Sequence, residues 1–380
     1  MNNLNSTNIY NFLLVYMPLL YIYKSPVPGV DWGTALVVLF AIFFYGRGRR
    51  HGGKLSKALV AVLVYSVVCT LVNLVIGTTN YSSLTSIFLR TGRFVVVMVV
   101  MMGFCYSNHF VPKKYLKLLR GLTLFVSGYA ILQSLAFRLT GIKLINVIGP
   151  VTEDIALSSE TMYRPPSIFL EPSHAAYFMA PYLCYVLFCN PATKKNKKRR
   201  FREAILISLG ILFTTSGLGL TVLALTWGIW LVRSAKKLHI KSIIILICVF
   251  IFMLYNFDFN ATINRITTND EQNAVEARQV GYSLLEKLPL TYQLFGTGYG
   301  NYDDRFYYSS FAEIIFCTGY IGLFLVLILF LTPLLKGHMI QKALSLSCVL
   351  LMMGGGIYTA SYLCLYLPLL LYKGWYKVKI

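Results

Sequence analysis

Residues 164–178 read RPPSIFLEPSHAAYF, and the chain continues without a polar break through MAPYLCYVLFC to Cys189. Pro165-Pro166 holds Arg164 out of helix, because the residue before a proline is pushed to extended backbone. Glu171-Pro172 predicts a helix start, with proline at the first helical position where its missing N–H costs nothing. The spacing sets His174 on nearly the same side of that helix as Glu171. The apolar run that follows, 172–189, is close to the ~20 residues that cross a bilayer. A charged, proline-set loop passing straight into such a run is the mark of a membrane span entered from a polar surface.

The rest of the 380-residue chain repeats this pattern. Hydrophobic residues make up 57% and charged residues only 13%, too few to cover the surface of a soluble protein of this length. Apolar runs fall near 9–23, 32–45, 57–76, 87–107, 120–139, 172–189, 204–216, 218–232, 242–257, 308–332, 343–357 and 359–372. They predict an all-α polytopic integral membrane protein of about twelve transmembrane helices, some short or re-entrant. We read residues 1–380 as a single membrane domain with two long outer loops, about 141–171 and 258–307. The first run lacks a basic lead and a small-residue cleavage site, so it is expected to stay as a span. The pairs 204–216/218–232 and 343–357/359–372 are broken at Ser216-Gly217 and at Gly354–Gly356, and each could form two helices or a re-entrant hairpin. Arg90 and Arg93 near the start of the fourth run predict a helix that begins later than residue 87.

Charge orients the runs. The segments 46–57, 108–120, 190–203, 233–241, 333–342 and the tail hold 25 of the 35 Lys and Arg but one acid, Glu203. Positive loops stay cytoplasmic, so both termini are expected inside. Short basic clusters between apolar runs account for the net charge of +21 and argue against nucleic acid as a partner. The eight cysteines all lie in apolar runs with no CxxC pair, which indicates neither a disulfide framework nor a zinc site. GRRHGGKL (48–55) has the glycine and lysine spacing of a phosphate loop, but Leu55 stands where Ser or Thr would hold magnesium. GTGYG (296–300) has no strand before it and reads as a tight turn.

The cations left outside are mostly arginine: 90, 93, 138, 164, 265, 278 and 305, beside Lys24, Lys143 and Lys287. Arginine's planar fork grips phosphate or carboxylate bidentately, whereas lysine suffices for topology. His174 is the one histidine on that side; 51, 109, 239 and 338 fall in the basic loops. Arg164, Glu171 and His174 are therefore candidate site residues, with the helix start itself as a phosphate cradle. A simple N-cap with an interfacial histidine is the plainer alternative. Arg265, Arg278 and Arg305 belong to the second outer loop, where pairing with neighbouring acids is again the alternative. Glu313 falls within the tenth span and would share a helical stripe with Arg305 and Ser309 if the helix reached back that far. A carboxylate inside a span is costly and lines a cavity or pairs with a cation.

Three stretches, RPPSIFLEPSHAAYF (164–178), LFTTSGLGL (212–220) and LFGTGYGN (294–301) with SSFAEIIFCTGYIGL (309–323), resemble the Wzy-type polymerases of O-antigen and capsule synthesis, within the O-antigen ligase/polymerase superfamily. The first is similar to the family's arginine followed by Phe-x-Glu-Pro-Ser, and the second to its Thr-x-Ser-x-Gly break. The third is similar to its Gly-x-Gly turn and a helix with Gly-x-x-Gly, here Gly319 and Gly322. Ligase-type relatives carry a histidine eleven residues before the first of these glycines, where this chain has Tyr308. The resemblance implies a glycosyltransferase of the bacterial inner membrane, acting on its outer face without cofactor, metal or nucleotide. It would transfer a growing chain from undecaprenyl-pyrophosphate onto the next lipid-linked oligosaccharide repeat, alongside a flippase and a chain-length regulator. It implies catalytic roles for Glu171, His174 and Arg164, and substrate-binding roles for Arg265, Arg278, Arg305, Arg90, Arg93, Tyr308 and Glu313. A ligase-like transferase, a lipid-linked oligosaccharide flippase and an ion-coupled transporter are the rival readings. The long outer loops and the absence of an internal repeat weigh against the last two.

Overall fold

A computed structural model describes residues 3–26, 30–45, 56–77, 81–105, 110–151, 163–188, 194–234, 274–303, 306, 308–358 and 360–372. The predicted span at 242–257 and the basic turns at 46–55 and 235–241 lie outside the described residues, as do Arg265 and Arg305. Within the described residues the chain is all-helical, as its apolar runs predicted, and two isolated β-bridges are its only strand-like pairing. The helices are α1 (Asn3–Leu20), α2 (Trp32–Tyr45), α3 (Lys57–Ile76), α4 (Leu84–Cys105), α5 (Pro112–Thr140), α6 (Pro172–Phe188), α7 (Lys194–Phe213), α8 (Gly217–Ser234), α9 (Ala274–Glu286), α10 (Leu290–Phe295), α11 (Ser310–Lys336), α12 (Met339–Gly354) and α13 (Ala360–Leu371). Among them α3, α5 and α11 are long and apolar enough to cross a membrane.

The centre of the molecule is α6. Every residue from Ala175 to Phe188 is buried, so this helix is apolar all round and presents no face to the outside. It packs against α5, α7, α8, α12 and α13. The second wholly enclosed stretch is Ser361–Leu370 of α13, which lies between α4, α1 and α6. A tyrosine joins the two, since Tyr366 donates its hydroxyl to the Tyr177 carbonyl at 2.6 Å.

At one end the basic residues gather. Arg120 near the start of α5 pairs with Glu203 of α7 at 2.7 Å, and the Tyr182 hydroxyl donates to the same carboxylate at 2.9 Å. Glu203 is buried, and these partners supply the charge and hydrogen bonds that such burial requires. Arg200 donates to the Tyr185 hydroxyl at 3.0 Å. The lone acid of the basic clusters is thus a structural tie between α5, α6 and α7.

The opposite end carries the starts of α4, α6, α8, α11 and α13. Both broken pairs form two helices, since α7 reaches back to Lys194 and gives way to α8 across Thr214–Ser216, and α12 and α13 flank the glycine break. Two expectations are corrected here. Helix α4 begins at Leu84, before both arginines, because the Ser83 hydroxyl accepts from the Ser86 N–H and the Ser83 carbonyl from the Ile87 N–H. Helix α11 begins only at Ser310, with Ser309 capping the Ala312 N–H, so residue 305 precedes it and the stripe 305–309–313 does not form.

The expected outer loop at 258–307 holds α9 and α10 among its described residues, and its glycine turn is built into the bundle. At Gly319 (φ 67°) α11 breaks, and the carbonyls of Phe316 and Cys317 accept from the Thr297 and Gly298 N–H groups at 2.9 Å each. The approach leaves no room for side chains. A Cβ on Gly319 would lie 2.1 Å from the Leu294 carbonyl oxygen, and one on Gly296 2.3 Å from that of Cys317. Both glycines also have positive φ, where a Cβ is strained. From the other side Thr70 accepts the Tyr299 N–H at 2.8 Å and Thr91 donates to the Tyr299 carbonyl at 2.8 Å.

Candidate functional site

The loop leading into α6 is held from below by one side chain. Gln133, fully buried in α5, accepts the Ser167 N–H at 2.8 Å and donates to the Ser167 carbonyl at 3.0 Å, while the Ser167 hydroxyl donates to the Val126 carbonyl at 2.8 Å. These bonds hold Ser167 in left-handed backbone, φ 56°, which a non-glycine residue adopts at a cost. Pro165, Pro166 and Phe169 are buried around it. The predicted helix start is present: α6 opens at Pro172, and the Glu171 carbonyl accepts from the His174 and Ala175 N–H groups at 3.1 and 3.4 Å. The Glu171 carboxylate takes the Ser173 hydroxyl at 2.9 Å.

The turn between α7 and α8 meets this loop. Arg164 donates to the Thr215 carbonyl at 3.3 Å. Thr215 has φ 51°, so the only two non-glycine residues with positive φ among the described residues flank this contact. Ser216 caps α8 by accepting the Gly219 N–H at 3.3 Å. The starts of α6 and α8 are packed so closely that a Cβ on Gly219 would lie 2.9 Å from the Ala176 methyl carbon. Two positive helix ends therefore open at one place, beside a guanidinium. Among the described residues, three buried polar atoms of these segments have no hydrogen-bond partner: the hydroxyl of Tyr163, whose ring packs on Phe137 at 4.8 Å, His174 Nδ1 and Thr215 Oγ1. Burial raises the Tyr163 phenol to about 12, so it is a neutral donor at ordinary pH. The His174 ring lies 5.9 Å from that of Tyr177 and 5.7 Å from that of Tyr362, which anchors it against α13. An anion bordered by hydroxyls, with a carboxylate and an imidazole at hand, suits this arrangement.

A second group of predicted residues gathers on α4 and α11. Arg90 donates to the Gly300 and Tyr302 carbonyls at 3.0 and 3.1 Å and lies over the Tyr302 ring at 4.5 Å. Arg93 pairs with buried Asp31 at 3.5 Å and lies over Tyr21 at 4.3 Å. Glu313 lies in the first turn of α11, where its backbone N–H donates to the Ser309 carbonyl at 2.8 Å. Tyr308 is buried between Tyr302 and Phe316, and that burial raises its phenol to about 12. This group fastens the glycine turn to α4. Arg278 lies in α9.

Sequence reasoning passed over four residues. Tyr163 stands next to Arg164 and Thr215 falls within the stretch 212–220, neither with a charge to mark it. Gln133 had a signal, an amide within an apolar run. So did Asp31, whose carboxylate accepts both the N–H and the hydroxyl of Thr34 at 2.8 Å and caps α2. No protein-family model, curated protein or solved structure matches this chain.

Proposed function

We propose that this chain is an inner-membrane polymerase of lipid-linked oligosaccharide repeats, with the end that holds the starts of α6 and α8 on the outer face and about twelve crossings in all. The observation that carries the reading is the junction of Arg164 with Thr215. The two segments that this contact joins carry two residues with positive φ, the starts of α6 and α8, and the buried polar atoms of Tyr163, His174 and Thr215, at the head of the most enclosed helix in the bundle. Positive ends and arginine favour a pyrophosphate, and the hydroxyl-rich border favours a sugar.

In this reaction an acceptor hydroxyl of the next repeat attacks the anomeric carbon of the chain. The new glycosidic C–O bond forms as the bond to undecaprenyl pyrophosphate breaks, and the pyrophosphate leaves with the electron pair. Arg164 and the two helix starts stabilise the charge that develops on it. Glu171 or His174 takes the hydroxyl proton. Arg265 and Arg278 are assigned to the same leaving group. Loss of one such contact costs ~3 kcal/mol, about a hundredfold in rate. Arg164→Ala and Glu171→Gln, each expressed in a strain lacking the chromosomal copy, are expected to leave single repeats in place of the polymer ladder. Unchanged ladders in both would refute this site, and complete loss of surface sugar would point to a flippase.

A further inference from the structure

We infer that Arg138 is a further phosphate-binding residue of this site, and that it takes the phosphate esterified to the polyprenyl chain while Arg164 takes the one that parts from the sugar. This deepens the polymerase reading above and rests on it. The donor has two phosphates, each with one negative charge, and a third charge develops on the leaving oxygen. One guanidinium fork matches one phosphate, so a pyrophosphate calls for a cation at each. Arg138 is an outer arginine with no part in the steps above.

Three contacts bring the end of α5 to the junction of the loop before α6 with the turn between α7 and α8. Phe137 packs its ring on that of Tyr163, the neighbour of Arg164, at 4.8 Å. Arg138 follows Phe137 and holds its guanidinium 5.7 Å from the centre of the Phe213 ring, at the last residue of α7. Two residues on, the Thr215 carbonyl accepts from Arg164. The two guanidinium groups therefore approach one turn, 213–215, from separate segments. Phe213 positions Arg138 without neutralising it, since a ring face attracts a cation but carries no net charge.

Depth follows from the other end of α5. Lys113, Lys114, Lys117 and Arg120 keep residues 112–120 at the basic end. The ~20 residues that cross the hydrocarbon are then 121–140, and Arg138 comes to the outer boundary, where lipid phosphates lie. It is exposed there beside exposed Leu135 and Leu139, whereas Arg164 is half-buried in the loop. A carrier whose tail stays among acyl chains meets the residue on the lipid side with its tail-side phosphate. The sugar-side phosphate, where the new charge develops, is left to Arg164 and the helix starts. A cation in the last turn of α5 also offsets the negative end of that helix, a task lysine performs equally well. The planar fork is what a phosphate adds to that requirement.

Isothermal titration of the full-length protein in lipid nanodiscs with farnesyl pyrophosphate, farnesyl phosphate and farnesol tests the assignment. Farnesol binding needs neither cation and reports whether each variant is folded. The wild type is expected to bind the pyrophosphate best and farnesol least. Arg138→Ala is expected to weaken both phosphorylated lipids by at least about tenfold, and Arg164→Ala the pyrophosphate alone. Phe213→Leu, which removes the ring but not the charge, is expected to weaken the same two ligands as Arg138→Ala, and Arg138→Lys to recover part of the loss. Unchanged binding of farnesyl phosphate to Arg138→Ala overturns the assignment and leaves Arg138 among ordinary lipid head groups, with Arg164 unaffected. Wild-type binding of the pyrophosphate no tighter than that of farnesol overturns the lipid-pyrophosphate site itself, and Arg138 with it.

Discussion

Three single residues decide whether two turns at this end stay in place, the one that leads into α6 and the glycine turn seated on α11. Gln133 satisfies both backbone groups of Ser167, and Gln133→Leu would leave two buried partners unpaired while the left-handed turn they support persists. An unpaired buried group costs about 1–3 kcal/mol. We expect Gln133→Leu to lower the unfolding temperature in detergent and, on the function proposed above, to shorten the polymer ladder. Gly296→Ala and Gly319→Ala each drive a Cβ into a carbonyl oxygen and demand positive φ, a strain of about 1–3 kcal/mol before the clash is counted. Gly92→Ala, in a helical position with open space around it, is the matched control and is expected to be neutral or stabilising. Thermal unfolding of the three proteins in one detergent checks this contrast, and equal midpoints would count against the seated turn.

Helix α11 is broken so that another element can be attached. Its carbonyls of Phe316 and Cys317 turn to the glycine turn, and Arg90 of α4 closes on the far side through Gly300 and Tyr302. Lysine at position 90 keeps the charge but loses the planar stack over Tyr302 and the forked donor geometry. Hydrogen bonds from a charged donor contribute about 1.5–3 kcal/mol, so Arg90→Lys is expected to destabilise by an amount in that range and Arg90→Ala by more. Denaturant unfolding of the purified protein measures both, and a fully stable Arg90→Ala would mean that α4 does not hold the turn. The start of α11 is tied in the same manner. Ser310 accepts the Tyr358 N–H at 2.8 Å and donates to the Gly355 carbonyl at 2.7 Å, which fixes the break between α12 and α13 against it.

Over the whole molecule the arrangement is polar at both ends and apolar between, but the two ends differ in kind. One holds lysines and arginines around a single buried glutamate, and the other holds arginines bound to backbone carbonyls, an acid or a ring. If the basic end faces the cytoplasm, Lys24→Cys in intact cells is expected to react with a membrane-impermeant maleimide and Lys197→Cys only after lysis. Both side chains are exposed, so the membrane alone would decide the difference. The reverse pattern would invert the topology and move the proposed site to the wrong face.

Composition, apolar runs and charge were enough to read an all-helical chain, most helix positions and the helix start at Pro172. These are local properties: burying one turn after another of apolar residues, or placing proline at a first turn, needs no knowledge of distant partners. The sequence could not show that Arg90 and Arg93 sit inside α4, because a helix can carry them only where carbonyls of residues 300 and 302 and the Asp31 carboxylate are waiting. Nor could it show that the glycine turn is buried, since its partners come from α3, α4 and the break in α11. Thr215, an unremarkable polar residue in the sequence, acquires its place only when α7 and α8 bring its carbonyl to Arg164. Local chemistry wrote the elements, and contacts between residues far apart in the chain decided which of their polar groups meet at the site.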